Sequence, residues 1–263
     1  MRKYYEMMKS QMKIETAYVA WFWAGTFATV VKILILYYFW TAVYENRSSI
    51  AEMPLETMLT YAVIAALLGN FHFAGPGNQL AEQIQSGGVA VELLRPYDLI
   101  NRLVWQSWGG FGMSLVRDML PMLAVGWIFL GIQFPATGTG AVLFILSTLI
   151  GLFLAMYIDL ILGVLAFWTV NIFGLRTLKN AILLFFTGSM VPVTMFPGWL
   201  QTLSQYMPFQ SIVYVPVSIY TGTLAGLDAL SAMLVQILWL ALMWAVVRVI
   251  WSLAVRKVTV FGG

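Results

Sequence analysis

The chain has 263 residues, 61% of them hydrophobic and 10% charged, with a mean hydropathy of +0.85 and no cysteine. A soluble domain is roughly 45–50% apolar and about 25% charged, so this sequence lacks the polar residues to cover a water-facing surface and reads as an integral membrane protein. The lack of cysteine excludes a disulfide framework, a thiolate metal site and a cysteine nucleophile. The single histidine, His72, excludes an imidazole-rich metal site.

A bilayer-crossing helix needs about 20 largely apolar residues. The apolar runs here are long and do not alternate, which predicts an all-α membrane protein rather than a barrel. In chain order, residues 1–17 form an amphipathic helix, with Arg2, Glu6, Lys9 and Lys13 on one face and Tyr4, Tyr5, Met8 and Met12 opposite. Such a helix lies in the cytoplasmic interface or extends the first span inward. Six spans follow, at roughly 18–44, 55–73, 104–132, 141–170, 181–196 and 229–253. The third carries Arg117 and Asp118, and the fifth is short. The whole chain, 1–263, reads as one transmembrane domain.

The loops give the orientation. Arg2, Lys3, Lys9 and Lys13 precede span one, Arg95 and Arg102 lie between two and three, Arg176 and Lys179 between four and five, and Arg256 and Lys257 follow six. The alternate loops carry only Arg47. This asymmetry predicts that both termini are cytoplasmic. The net charge of +3 and pI near 9.1 are then a topology signature and do not point to nucleic acid.

Two connections are too long and too patterned to be plain turns. The cytoplasmic one, residues 74–103, has Gly75, Pro76 and Gly77 breaking span two, Asn78 placed to cap a short helix through Gln85, and Gly87-Gly88 ending it. A second short helix, Val89 to Leu94, stops at Arg95-Pro96. Two short helices parallel to the membrane make either a docking surface for a partner or an interfacial layer packed on lipid. The external connection, 192–228, contains Pro192, Pro197, Pro208 and Pro216, and no charge occurs between Lys179 and Asp228. Broken, uncharged backbone is tolerated at membrane depth only where protein buries it or a cavity hydrates it. The segment therefore reads as short re-entrant helices, with Trp199, Tyr206, Tyr214 and Tyr220 at headgroup level.

These loops carry a resemblance. The stretch IQSGGVAVELLRP from Ile84 to Pro96, then PGWLQTLSQYMPF from Pro197 to Phe209, then Gln236, Trp239 and the terminal Gly262-Gly263, resembles the ABC-2 type permeases of ATP-binding-cassette exporters. The similarity is to the bacterial branch of about 260 residues whose middle reads I-x-x-G-x-x-x-x-x-L-L-R-P and whose end reads G-G, and it runs in order over almost the whole chain. It implies a transmembrane subunit of six helices in the bacterial cytoplasmic membrane, a coupling helix between spans two and three, and re-entrant helices between five and six. It also implies a homo- or heterodimer working with two ATP-binding subunits. Within that reading Glu82, Gln83 and Gln85 are the expected ATPase contacts and Arg95 anchors the loop to headgroups. A phosphate-binding loop would read G-x-x-x-x-G-K-[ST], and no such run occurs in the chain. The chain is therefore not expected to be an enzyme itself or to hold a cofactor; ATP and Mg would be bound by the partner subunit.

Charges within the spans are functional candidates, because each costs roughly 2.5–3.5 kcal/mol on insertion scales. Counting about 1.5 Å per residue from the external turn, Arg117 and Asp159 fall at similar depth on adjacent helices. They are an expected ion pair, or two side chains that snorkel separately. Lys32 has no acidic residue at its depth on span two; it either faces the translocation path or snorkels. Arg248 is expected to snorkel. His72 and Ser189 fall at different depths, so they do not make an intramembrane serine hydrolase. The alternative to an ATP-driven permease is a secondary transporter using an ion gradient. That class is built on inverted repeats, and spans one to three do not correspond to spans four to six.

Overall fold

The computed structural model describes residues 2–16, 19–69, 75–169 and 171–256. His72, Lys257 and Gly262-Gly263 lie outside them, as do the side chains of Arg2, Lys3, Ile14–Thr16, Val19–Ala24, Arg117 and Asp118. Among the described residues the protein is all-α apart from one small hairpin. Three helices are long and apolar enough to cross a membrane: α2 (Val19–Val43, apolar over Gly25–Val43), α8 (Gly138–Leu165) and α12 (Gly226–Val255). Two shorter apolar helices accompany them, α3 (Leu55–Gly69) and α7 (Leu120–Phe129).

The layout follows from which faces are apolar. Helix α3 is buried from Met58 to Gly69 on every side, and so forms the centre of the bundle. Helices α2 and α11 (Tyr214–Thr221) pack against it, and α8 is flanked by α11 and α12. Thr137 starts α8 by accepting the Gly140 N–H at 2.9 Å through its hydroxyl. The first helix, α1 (Arg2–Thr16), packs along α6 (Leu99–Ser114), where Gly109 admits the close approach: a Cβ there would collide with the Met8 carbonyl. The half-buried face of α1, with Tyr4, Met8 and Met12, thus meets protein, while Tyr5, expected on that face, is exposed.

Two predicted spans differ in detail. The third begins at Leu99 and is interrupted by a π-turn at Leu115–Met119 between α6 and α7. Pro121 explains the interruption: it lacks an N–H and its ring presses on the carbonyl four residues back, which a widened turn accommodates. The fifth is α9 (Phe173–Phe186), displaced toward the chain start from the expected 181–196. It ends at Thr187 and at Gly188, whose φ of +77° suits glycine. Arg176 and Lys179, expected in a loop, are inside α9. Residues 187–213 then continue as short pieces: a 3₁₀ turn at Val193–Met195, α10 (Gly198–Gln205) and a 3₁₀ turn at Phe209–Ser211. Trp199 and Tyr206 are exposed, but Tyr220 is buried, donating its hydroxyl to the Gln133 carbonyl at 3.1 Å.

Between α2 and α3 sits the hairpin, β1 (Ser49–Ile50) and β2 (Met53–Pro54), closed by Ala51 and Glu52 at φ +49° and +62°. Two central residues with positive φ mark a two-residue turn that favours Asn-Gly, and neither residue here is suited to it. The Tyr44 hydroxyl holds the turn by donating to the Met53 carbonyl at 3.0 Å. Replacing Ala51-Glu52 by Asn-Gly is expected to stabilise the protein by about 1 kcal/mol, read as a higher thermal midpoint in detergent.

Candidate functional site at the charged end of the bundle

Opposite the hairpin, the ends of α8 and α12 and the starts of α9 and α6 surround the segment predicted as a docking loop. This segment folds as α4 (Pro76–Gln85) and α5 (Val89–Leu93). Pro76 suits the first turn of α4, and Gly75 precedes it in extended conformation. Asn78 does not cap this helix. It accepts a hydrogen bond from the Arg176 guanidinium at 3.1 Å.

The cap comes from another helix. Asp159 of α8 accepts the Gly77 N–H at 2.7 Å through Oδ2 and binds Lys179 Nζ of α9 at 2.6 Å through Oδ1. Both side chains of the pair are about 5% exposed. The negative charge lies at the positive end of the α4 dipole, where it is stabilising. Glycines make this approach possible: a Cβ at Gly75 or Gly77 would run into Asp159, and one at Gly163 would stand 2.6 Å from the Gly77 carbonyl oxygen. Below the pair, Leu80 of α4, Leu99, Ile100 and Leu103 of α6, Leu160 and Val164 of α8 and Val247 of α12 form one apolar core.

The expected partner of Asp159 was Arg117. The Asp159 carboxylate oxygens are engaged by Lys179 and Gly77, and the expected pair itself lies outside the described residues, which do not include the Arg117 side chain. Depth counting placed Asp159 near the inner boundary but assigned Lys179 to a loop, so their pairing was missed. An acid and a base at positions 159 and 179, flanking a turn between adjacent helices, are the signal that could have found it.

A second ionic contact closes the other end of the segment. Asp98 caps α6 by accepting the Asn101 N–H at 2.7 Å through Oδ1, and its Oδ2 accepts from Arg248 Nη1 of α12 at 2.5 Å. Arg248 Nη2 reaches Asn101 Oδ1 at 2.7 Å. Arg248 therefore does not snorkel; it bridges two helices. Between the two contacts, Glu92 accepts from Tyr97 at 2.9 Å and pairs with Arg102 at 2.9 Å and Arg95 at 3.4 Å. The hydrogen bond to Tyr97, and then the Glu92 charge, raise the Arg95 pKa, so this side chain stays a cation bound within its own loop.

The outer face of α4 carries Gln79, Glu82 and Gln85 at helical spacing, all exposed, over an inner face of Pro76, Gly77, Leu80 and Ala81. Of the three expected contact residues, Glu82 and Gln85 lie on this face. Gln83 is half-buried with its amide oxygen turned inward, and Gln79 completes the stripe in its place. Leu94, 87% exposed, and Val91 project beside it from the α5 turn. Lys32 is half-buried along α2.

A segment with a fixed inner face and an open polar outer face, set among membrane-length helices, is the arrangement implied by the resemblance, and a comparison of the sequence with family models decides the matter. Residues 30–262 match the model described as ABC-2 family transporter protein. The chain belongs to the ABC-2 transporter family. It is thus a membrane-spanning permease of an ABC transporter, a class that works with ATPase subunits. Comparison with curated proteins returns no match.

In this ABC-2 permease, Asp159→Ala leaves Lys179 buried without its counter-charge and Gly77 N–H without its acceptor. Removing one partner of a buried pair costs about 3–5 kcal/mol, and a drop in thermal midpoint and yield is the expected result. Replacing both, with Asp159→Asn and Lys179→Met, is expected to recover most of the loss, since it removes both buried charges while the Asn carbonyl oxygen still accepts the Gly77 N–H.

Proposed function

We propose that this chain is the transmembrane subunit of a bacterial ABC-2 exporter, embedded in the cytoplasmic membrane with six spans and both termini on the cytoplasmic side. It works as a homo- or heterodimer on two separate ATP-binding subunits, which supply the ATP and Mg sites. The observation that carries the reading is α4: its Gln79, Glu82 and Gln85 face is open, while its other face is clamped to α8 by Asp159, Gly77 and Gly163. A load applied to the open face cannot be absorbed by the loop, because the helix start is bound to α8 and, through Lys179, to α9. ATP-driven closure of the ATPase subunits pushes on α4, the ends of α8 and α9 move with it, and the dimer alternates between inward-facing and outward states. The positive-inside bias of the loops and the absence of a phosphate-binding loop support the same assignment.

Copurification tests this directly. The chain is expected to bring down an ATP-binding protein. Glu82→Arg is expected to weaken that association about 10- to 30-fold, as a reversed charge at an interface costs on the order of 1.4–2 kcal/mol. Transport by the purified chain alone under an ion gradient would overturn the assignment in favour of a secondary transporter.

A further inference from the structure

The two ionic contacts that bracket residues 75–103 differ in burial. The Asp159–Lys179 pair is about 5% exposed on both sides, whereas the Arg248 and Asp98 side chains are 27% and 34% exposed. A pair sealed from water has no solvent to replace its partner when it separates, so it holds. A pair that water reaches exchanges one set of hydrogen bonds for another at small net cost.

What the contacts join also differs. Asp159 ties α4 to α8. Helix α8 is in turn clasped to α12 in the opposite half of the bundle. There the fully buried Gln236 accepts from the Ser147 hydroxyl at 2.9 Å and donates to the Ser211 carbonyl at 2.6 Å, and Gly151 lets the 211–212 backbone lie against α8. Helices α4, α8 and α12 therefore move together. Helix α6 is joined to that unit by the non-directional apolar core around Leu103 and Val247, which tolerates sliding, and by Arg248. It also has a place to bend, the π-turn at 115–119.

We infer that Arg248, held by Asp98 and Asn101, is a releasable latch between α12 and α6, while Asp159–Lys179 is the fixed pin that keeps α4 on α8. The inference rests on the ATP-driven reading for its trigger, though not for the latch itself. Closed, the latch keeps the charged ends of α6 and α12 together. When α4 is pushed and carries α8 and α12 with it, the Arg248 contact parts and the α6 end swings about the π-turn.

The cysteine-free sequence allows the test to be run on the intact chain. Trp105→Cys and Ser252→Cys place spin labels at exposed positions on α6 and α12 near the latch. Distances between them are measured in complexes spin-diluted with unlabelled chain, with and without trapped nucleotide. The expected result is a short distance without nucleotide that lengthens on trapping. Arg248→Gln shows the longer distance already without nucleotide, raising its share about five- to tenfold, the range for a partly exposed pair with charge-assisted hydrogen bonds. Asp98→Asn does the same while keeping the α6 cap, because Asn caps as well as Asp, so it carries the test if Arg248→Gln does not fold. Arg248→Lys restores the short distance in part. An unchanged nucleotide-free distribution in Asp98→Asn, or no lengthening on trapping in the unsubstituted complex, overturns the latch. Failure of any ATP-binding subunit to copurify would instead overturn the exporter reading, and comparing Asp98→Asn with the unsubstituted chain alone would still decide the latch.

Discussion

One carboxylate sets the geometry of the charged end. Asp159 must neutralise Lys179 in a place water does not reach, and its second oxygen must find a donor. The Gly77 N–H, at the dipole-positive start of α4, satisfies it. Everything nearby serves that closeness: no side chain at 75, 77 or 163, a proline that begins the helix without wasting an N–H, and an apolar core beneath. The order of causes runs from one buried charge to the direction of a whole helix.

Much of this was legible in the sequence, and the part that was not has a common reason. Apolar runs located α2, α3, α8 and α12, and the glycines and prolines at 75–77 and 87–88 bounded α4 closely. The proline-broken, uncharged stretch after 192 does fold as short pieces. The errors lie with charges. Hydropathy treats Lys179 and Arg248 as residues that want water, so it pushes them into loops or toward headgroups. Each has a partner brought to it by a different helix, Asp159 in one case and Asp98 in the other, and only the tertiary arrangement supplies that partner. For the same reason Asn78 looked like a cap, when the capping oxygen came from 82 residues away.

At the other end the problem is backbone rather than charge. Helix α9 has 14 residues, about 21 Å, too few to cross a bilayer core unaided. The chain continues in broken pieces whose free carbonyls need donors. Gln236 supplies one to Ser211, and the Tyr61 hydroxyl donates to the Gly188 carbonyl at 2.7 Å. Buried amides and phenols do here what helix continuity does elsewhere, and they leave an irregular wall without charge.

That last property bears on voltage. A unit charge moved across a membrane at 100 mV gains or loses about 2.3 kcal/mol. Asp159 and Lys179 travel as one neutral unit, the wall from 180 to 227 holds no charged residue, and Gln236 is uncharged at any pH. Within α8, α9 and that wall the remaining formal charge is Arg176, which sits near the start of α9 on the uncharged Asn78. The Asp159–Lys179 pair and the wall beyond it therefore offer the membrane potential no net charge to act on.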